Sequence, residues 1–162
     1  MEIPKDLSFC VKRALRRLSM GDLTCGEMFT YLTDKRKSVS FPPEIAERCV
    51  CLLTDEGFLD DKRYLKLFVR HLDEKKLGPR RIRQELVKHR FPPHYVEKVL
   101  ERNLDYTKRA LEFLKKRAGA ENLSKTPEGR KKLLDALVRY GYDFANARAA
   151  VSAFSTEEDF YD

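Results

Sequence analysis

Phe41-Pro42-Pro43-Glu44 and Phe91-Pro92-Pro93-His94 are the same mark set fifty residues apart. A recurrence at that period constrains the fold more than composition does, because a unit of this size buries its apolar face against a neighbouring copy. A second recurrence agrees with it. Leu86-Val87-Lys88-His89-Arg90-Phe91 aligns with Leu137-Val138-Arg139-Tyr140-Gly141-Tyr142 at an offset of fifty-one. Ile82 and Leu86 then fall on Leu133 and Leu137 and, across a short insertion, on Met28 and Leu32.

Between these marks the chain reads as helices with physical punctuation. Asp6 is expected to cap a first helix with Leu7, Val11, Ala14, Leu15 and Leu18 on one stripe. Met20-Gly21-Asp22 ends it. Thr24-Cys25-Gly26-Glu27 is a capping box, in which the Thr oxygen and the Glu carboxylate each satisfy an orphan N–H. Its helix buries Met28, Tyr31 and Leu32. Pro43 opens a third helix, burying Ile45, Cys49 and Leu52 or Leu53, and Gly57 closes it. Asp61 is expected to cap a fourth, with Tyr64, Leu65, Phe68 and Leu72 inward. Pro79 opens a fifth, ending near Arg90, and Pro93 a sixth with Val96, Val99 and Leu100 inward. Asp105 starts a seventh, nearly continuous with the sixth, carrying Ala110, Leu111 and Leu114. After a looser Ala118–Thr126 segment, Pro127 opens an eighth helix with Leu133, Leu134 and Leu137. A ninth runs through Ala147 and Val151 to Phe154. The expected fold is all-α: three tandem three-helix repeats packed into an elongated, curved body. The repeats occupy residues 1–59, 60–103 and 104–155, and an acidic tail, residues 156–162, carries Glu157, Glu158 and Asp159.

Charge singles out the middle of this array. Residues 1–59 hold nine Lys or Arg against nine Asp or Glu; residues 60–117 hold eighteen against nine; residues 118–162 hold six against eight. The net charge of +7 therefore originates in the middle of the chain, which suggests a basic surface facing an anionic partner. On the helix opened by Pro79, Ile82 and Leu86 face inward, so Arg80, Arg81, Gln84 and Lys88 fall on the opposite side with Arg83 on the flank. Arg90 closes that helix. Lys62, Arg63, Arg70, Lys75 and Lys76 form a supporting set, with Asp73 and Glu74 placed to neutralise the last two. The competing reading is a solvated basic face that complements the acidic tail.

Nothing in the chain argues for chemistry. Asp60-Asp61, right after Gly57-Phe58-Leu59, reads as a helix cap rather than a metal or acid–base pair. His71, His89 and His94 are scattered, with no Cys at zinc-ligand spacing. No GxxxxGK[ST] loop is present. Tyr31, Phe68 and Phe91 sit at core spacing rather than as base-stacking platforms. No cofactor and no enzymatic activity are expected. The four cysteines, Cys10, Cys25, Cys49 and Cys51, lack disulfide or redox spacing and read as reduced, mostly core-lining thiols of a cytoplasmic protein. No run has the length of a membrane span, and Met1–Asp6 lacks the order of a signal peptide.

The sequence resembles the RecX family of recombination regulators. The likeness is most specific at Leu53, Gly57-Phe58-Leu59-Asp60-Asp61, Tyr64, Phe68-Val69-Arg70, Gly78-Pro79-Arg80-Arg81-Ile82 and Glu85-Leu86. It continues at Thr24, Glu27-Met28 and Tyr31-Leu32, and at Leu137 and Gly141-Tyr142. Three departures stand out. Met20-Gly21-Asp22 replaces the Arg usual before the first capped helix. The glycine usual before the third helix of a unit is missing in Val39-Ser40-Phe41 and His89-Arg90-Phe91. The loop at 119–126 is rich in polar residues. The resemblance implies tandem three-helix units and a regulator of DNA repair by homologous recombination and of the SOS response. Such a protein binds the RecA recombinase and its single-stranded-DNA filament, limits ATP hydrolysis and strand exchange, and favours filament disassembly. It is expected to act as a monomer and to touch single- and double-stranded DNA weakly, salt-sensitively and without sequence preference. The alternative is a sequence-independent helical DNA-binding protein without a recombinase partner.

Overall fold

The computed structural model describes residues 5–159, with the side chains of residues 6–156. The described residues form helices and no strand: α1 (Lys5–Leu18), α2 (Cys25–Thr33), α3 (Pro43–Asp55), α4 (Asp61–Glu74), α5 (Pro79–Lys88), α6 (Pro93–Leu100), α7 (Tyr106–Lys116), α8 (Ala120–Ser124), α9 (Pro127–Arg139) and α10 (Phe144–Asp159). The chain is all-α, as the sequence implies.

The repeat is written in the backbone as well as in the side chains. Met28, Leu32, Ile82, Leu86, Leu133 and Leu137 are all fully buried on the second helix of their units. The aromatic mark that follows turns back in the same way each time. The Phe41 N–H donates to Leu32 O at 2.8 Å, the Phe91 N–H to Leu86 O at 3.1 Å and the Tyr142 N–H to Leu137 O at 3.1 Å. Each bond occupies a helix-end carbonyl that would otherwise lack a partner, and each seats a large ring in a core. In the second and third units the residue before the ring takes the left-handed backbone. Gly141 does so at φ +97° and Arg90 at φ +57°. Arg90 thus stands where glycine would cost nothing, and a non-glycine residue is strained there by about 1 kcal/mol.

Helix starts follow local chemistry with one exchange of roles. The Thr24 box is present: Thr24 Oγ1 accepts from the Glu27 N–H at 3.0 Å, and Glu27 Oε2 accepts from the Thr24 N–H at 2.9 Å. Asp60, not Asp61, caps α4, its carboxylate accepting from the Arg63 N–H at 3.0 Å. Asp61 instead accepts from the Cys25 N–H at 2.8 Å and so closes the start of α2 from a distant part of the chain. Asp6 lies inside the first turn of α1 rather than before it. Helices α6 and α7 are separate, because the Asp105 carboxylate caps α7 by accepting from the Lys108 N–H at 3.0 Å. The segment expected to be loose contains the short α8. Of the four cysteines only Cys10 and Cys49 are buried; Cys25 is half-buried and Cys51 exposed, because Cys51 falls off the inward stripe of Ala46, Cys49 and Leu53. Helix α10 continues to Asp159, past the expected stop at Phe154. The rest of the acidic tail, and the side chains of Glu157, Glu158 and Asp159, lie outside the described residues, as does the start of the chain before Lys5.

Two compact units share these helices. The first takes in the chain to Phe68 together with Leu86–Tyr95; the second takes in Val69–Glu85 and the chain from Val96 onward. In the first, α1, α2 and α3 close a core of Leu7, Cys10, Ala14, Met28, Leu32, Phe41, Ala46, Cys49, Leu53 and Leu59. The end of α5 docks here against the start of α2. Thr24, fully buried, donates through Oγ1 to His89 O at 2.7 Å, while Glu27 Oε1 lies 2.8 Å from His89 Nδ1. In the second unit, α7, α9 and α10 surround Ala110, Leu114, Leu133, Leu137, Tyr142, Ala147, Ala150, Val151 and Phe154. The start of α5 docks here against the turn after α9. The Gly78 N–H donates to Tyr140 O at 2.9 Å and the Arg80 N–H to Gly141 O at 3.0 Å.

These two docking contacts are the same contact made twice. Thr24 and Gly78 begin the second helix of their units, and His89 and Tyr140 end the second helix of the next. At the second joint the backbones meet so closely that side chains are excluded. A Cβ on Gly78 would lie 2.3 Å from the Gly141 carbonyl carbon. The second joint needs no counterpart to Asp61, since Pro79 stands where Cys25 does and has no N–H to satisfy.

Candidate nucleic-acid interface

The start of α5 is held by backbone contacts and its end by the Thr24 and Glu27 side chains, so what it offers outward is its solvent side. Arg80, Gln84, Val87 and Lys88 are exposed there, opposite the buried Ile82 and Leu86, as the helical spacing requires. Val87 is 58% exposed, placing an apolar contact beside Lys88. The first turn of α5 holds no acid, which is unfavourable against the positive end of the helix dipole. The open N–H groups that usually make a helix start an anion site are not offered here, because Gly78 and Arg80 already donate to Tyr140 and Gly141. An anion at α5 is therefore met by side chains.

The ten basic residues singled out in the sequence divide into two kinds. Three are already paired. Arg83 chelates Glu97 at 2.7 and 3.3 Å, Arg81 lies 3.4 Å from Glu85 one turn on, and Lys76 Nζ lies 2.9 Å from Glu112. The Arg83 bonds hold the Glu97 carboxyl below its usual range, and the Lys76 bond does the same for Glu112. Lys62, Arg63, Arg70, Lys75, Arg80, Lys88 and Arg90 are exposed and have no carboxylate partner among the described residues. Lys62, Arg63, Lys88 and Arg90 belong to the first compact unit, Arg70, Lys75 and Arg80 to the second. A partner-free Arg is a planar fork ready for a phosphate or carboxylate.

Asp73 does not neutralise Lys75 or Lys76. Its carboxylate is taken by two arginines outside the ten singled out in the sequence. Arg102 reaches it at 2.9 and 3.2 Å, and Arg109 at 2.8 Å. Arg109 is only 8% exposed. Its Nε also donates to Leu77 O at 2.8 Å and a terminal nitrogen to Leu72 O at 3.2 Å. One guanidinium thus closes the C-terminal end of α4, where the chain turns through Lys76 at φ +54° without a glycine. The Tyr142 hydroxyl donates to Lys76 O in the same turn, and burial pushes its pKa up to about 12, so it remains a donor. Burial alone would raise the Asp73 pKa; the bonds from Arg102 and Arg109 outweigh it and hold the carboxyl below its usual range. The available signal was an arginine beside the inward positions Ala110 and Leu114, a place where a charge needs a buried partner.

The aromatic residues are placed by packing. Tyr64, Phe68 and Phe91 cluster with centroids 5.3–5.8 Å apart, and His89 meets Phe68 at 4.7 Å. Tyr140 is 40% exposed with its ring against Phe113. Tyr31 lines the first core only in part, and its ring is approached by three cations. Among the described residues no group of three or more His, Cys, Asp or Glu side chains is disposed to hold a metal ion. No described helix is long and apolar enough to cross a membrane.

Comparison with known proteins agrees with this architecture. Residues 60–100, from the Asp60 cap to the end of α6, match the family model of the second three-helix domain of RecX. Regulatory protein RecX of Xanthomonas axonopodis pv. citri is 33% identical over 109 residues, covering 67% of each chain. That of Xanthomonas campestris pv. campestris is 31% identical over 120 residues and 74% of each chain. That of Pseudomonas fluorescens is 44% identical over 74 residues, covering 45% of this chain and 48% of its own. An all-helical chain with a matching second domain, similar over two thirds of its length to proteins of one name, belongs to the RecX family of regulatory proteins.

Proposed function

We propose that this chain binds the RecA recombinase and its filament on single-stranded DNA in the cytoplasm, limits ATP hydrolysis and strand exchange, and favours disassembly of the filament. The observation that carries the reading is Lys88 of the first unit, exposed without a carboxylate partner beside the exposed Val87; Arg80 of the second unit is likewise exposed and unpaired among the described residues. Such a surface attracts phosphate by charge, and Val87 offers an apolar contact that a purely electrostatic DNA surface does not need. Lys62, Arg63, Arg70, Lys75 and Arg90 add to the attraction, while Lys76, Arg81 and Arg83 first have to leave their acids. Each phosphate neutralised on a single strand steepens the salt dependence, weakening binding by roughly 2.6-fold between 50 and 200 mM salt. The chemistry of hydrolysis stays with the recombinase.

Titration into a RecA–single-stranded-DNA ATPase assay tests the reading. Wild-type protein is expected to lower the hydrolysis rate at saturation and to shorten filaments seen by sedimentation. Arg80→Glu with Lys88→Glu is expected to require at least tenfold more protein for the same effect. Undiminished hydrolysis at saturating wild-type protein would remove the recombinase reading. Equal potency of the double variant would remove the α5 assignment and leave the rest.

A further inference from the structure

The first compact unit, whose repeat is electrically neutral in sequence, holds a cationic pocket that belongs to none of the residues discussed as the α5 surface except Arg90. The pocket has a volume of about 270 Å³ and is lined by Arg17, Leu23, Glu27, Thr30, Tyr31, Asp34, Lys37 and Arg90. Tyr31, on its lining, draws cations to its ring. Lys37 Nζ stands 3.6 Å from the ring centroid, and the guanidinium carbons of Arg13 and Arg17 each stand 5.8 Å from it.

Two acids line the pocket, and both are already engaged. Glu27 accepts from the Thr24 N–H and meets His89 with its other oxygen. Asp34 is chelated by Arg36, at 3.0 and 3.2 Å, and accepts from the Arg36 N–H at 3.1 Å; the Lys37 ammonium makes no bond to this carboxylate. Arg13, Arg17, Lys37 and Arg90 have no carboxylate within ion-pair distance among the described residues. The ring gathers three cations that otherwise repel one another. With Lys37 Nζ 3.6 Å from its centroid, Tyr31 is not a free platform for a base. What the arrangement lacks is an anion with several acceptor oxygens.

We propose that this pocket binds a backbone phosphate of a nucleic-acid strand, as a contact site in the first repeat separate from the outer side of α5. Phosphate fits better than a carboxylate because the Arg17 and Arg90 guanidinium groups and the Lys37 ammonium all line the pocket, offering more donors than two oxygens can accept. The strand is read by charge and not by sequence, since no donor in the pocket is directed at a base edge by another group.

Binding of a fluorescein-labelled oligothymidylate to the full chain, followed by anisotropy between about 50 and 200 mM salt, tests this without any recombinase. Arg17→Gln with Lys37→Gln is expected to weaken binding at least fivefold and to lower the salt slope by about 0.7, the one phosphate contact the pocket supplies. Arg16→Gln with Arg48→Gln removes the same charge from the same unit outside the pocket and is expected to change affinity less than twofold. Tyr31→Phe, which keeps the ring, is expected to bind like wild type; Tyr31→Leu is expected to bind like the pocket variant, with helicity by circular dichroism unchanged. Equal effects of the two double variants would overturn the proposal. So would a pocket variant that keeps its oligothymidylate slope and loses binding to a labelled polyglutamate peptide, which would assign the pocket to an acidic protein segment. Loss of the α5 effect in the ATPase assay leaves these outcomes untouched.

Discussion

Replacing Arg109 by Met should be among the most damaging single changes to this fold although it touches no part of the proposed interface. The side chain is 8% exposed and makes bonds to Asp73, Leu77 O and Leu72 O. Leu72 O keeps the Leu77 N–H at 3.4 Å after truncation, and Asp73 keeps Arg102. Leu77 O keeps no hydrogen-bond partner among the described residues. Hydrogen bonds to charged groups contribute about 1.5–3 kcal/mol each, and breaking a buried pair costs about 3–5 kcal/mol. Met restores part of the apolar volume and removes the cost of burying the guanidinium. The expected loss is therefore about 3 kcal/mol. For a chain of this length that lowers Tm by roughly 6–12 °C. Arg102→Met is the comparison: Arg102 bonds the same carboxylate from a side chain 30% exposed, so its removal should cost about 1 kcal/mol. Thermal and urea unfolding followed by circular dichroism, with the two variants side by side, measures the difference. If Arg109→Met costs no more than Arg102→Met, the guanidinium is not the clamp on the end of α4 and the reasoning is wrong.

The same logic gives four further expectations. Thr24→Val deletes the capping box and the bond to His89 O at a fully buried site, which should cost about 2 kcal/mol in urea unfolding. Gly141→Ala places a Cβ 2.3 Å from the Arg81 backbone nitrogen at φ +97° and should cost more than 3 kcal/mol; Arg90→Gly, at the equivalent position, should raise Tm by about 2 °C because it relieves a left-handed arginine. Asp73 has a folded pKa below its unfolded value of 3.8. Its contribution is complete above that value and is lost as pH falls through the folded pKa, so wild type should lose its stability advantage over Asp73→Asn on acidification below about pH 3.8. An advantage that stays constant down to pH 2 would contradict the linkage.

Much of this architecture is local in origin, and those parts were legible. A capping box at Thr24, prolines at first helical turns and a glycine at the end of α3 act within a few residues of themselves. The inward stripes repeat at helical spacing. The aromatic marks recur because each repeat must turn back onto its own second helix. The basic side of α5 follows from the same periodicity, since Ile82 and Leu86 fix which residues face outward. What failed locally failed for a stated reason. Asp60 and Asp61 are equivalent caps by sequence; only the arrival of the Cys25 N–H distinguishes them.

Partnership between charges is where sequence stopped. Nothing near Asp73 reveals that Arg102 and Arg109 claim it, or that Glu97, Glu85 and Glu112 occupy three of the ten cations expected to face a partner. The pocket at Tyr31 is likewise invisible in a repeat whose charges sum to zero, because it depends on Arg36 and His89 having removed the acids from play. The sequence by itself determined the helices, the repeat and the outward face of α5, all consequences of backbone chemistry and periodicity over a few residues. Tertiary structure alone decided which charges are free, because Coulomb and hydrogen-bond energies depend on distances between side chains that are remote in the chain.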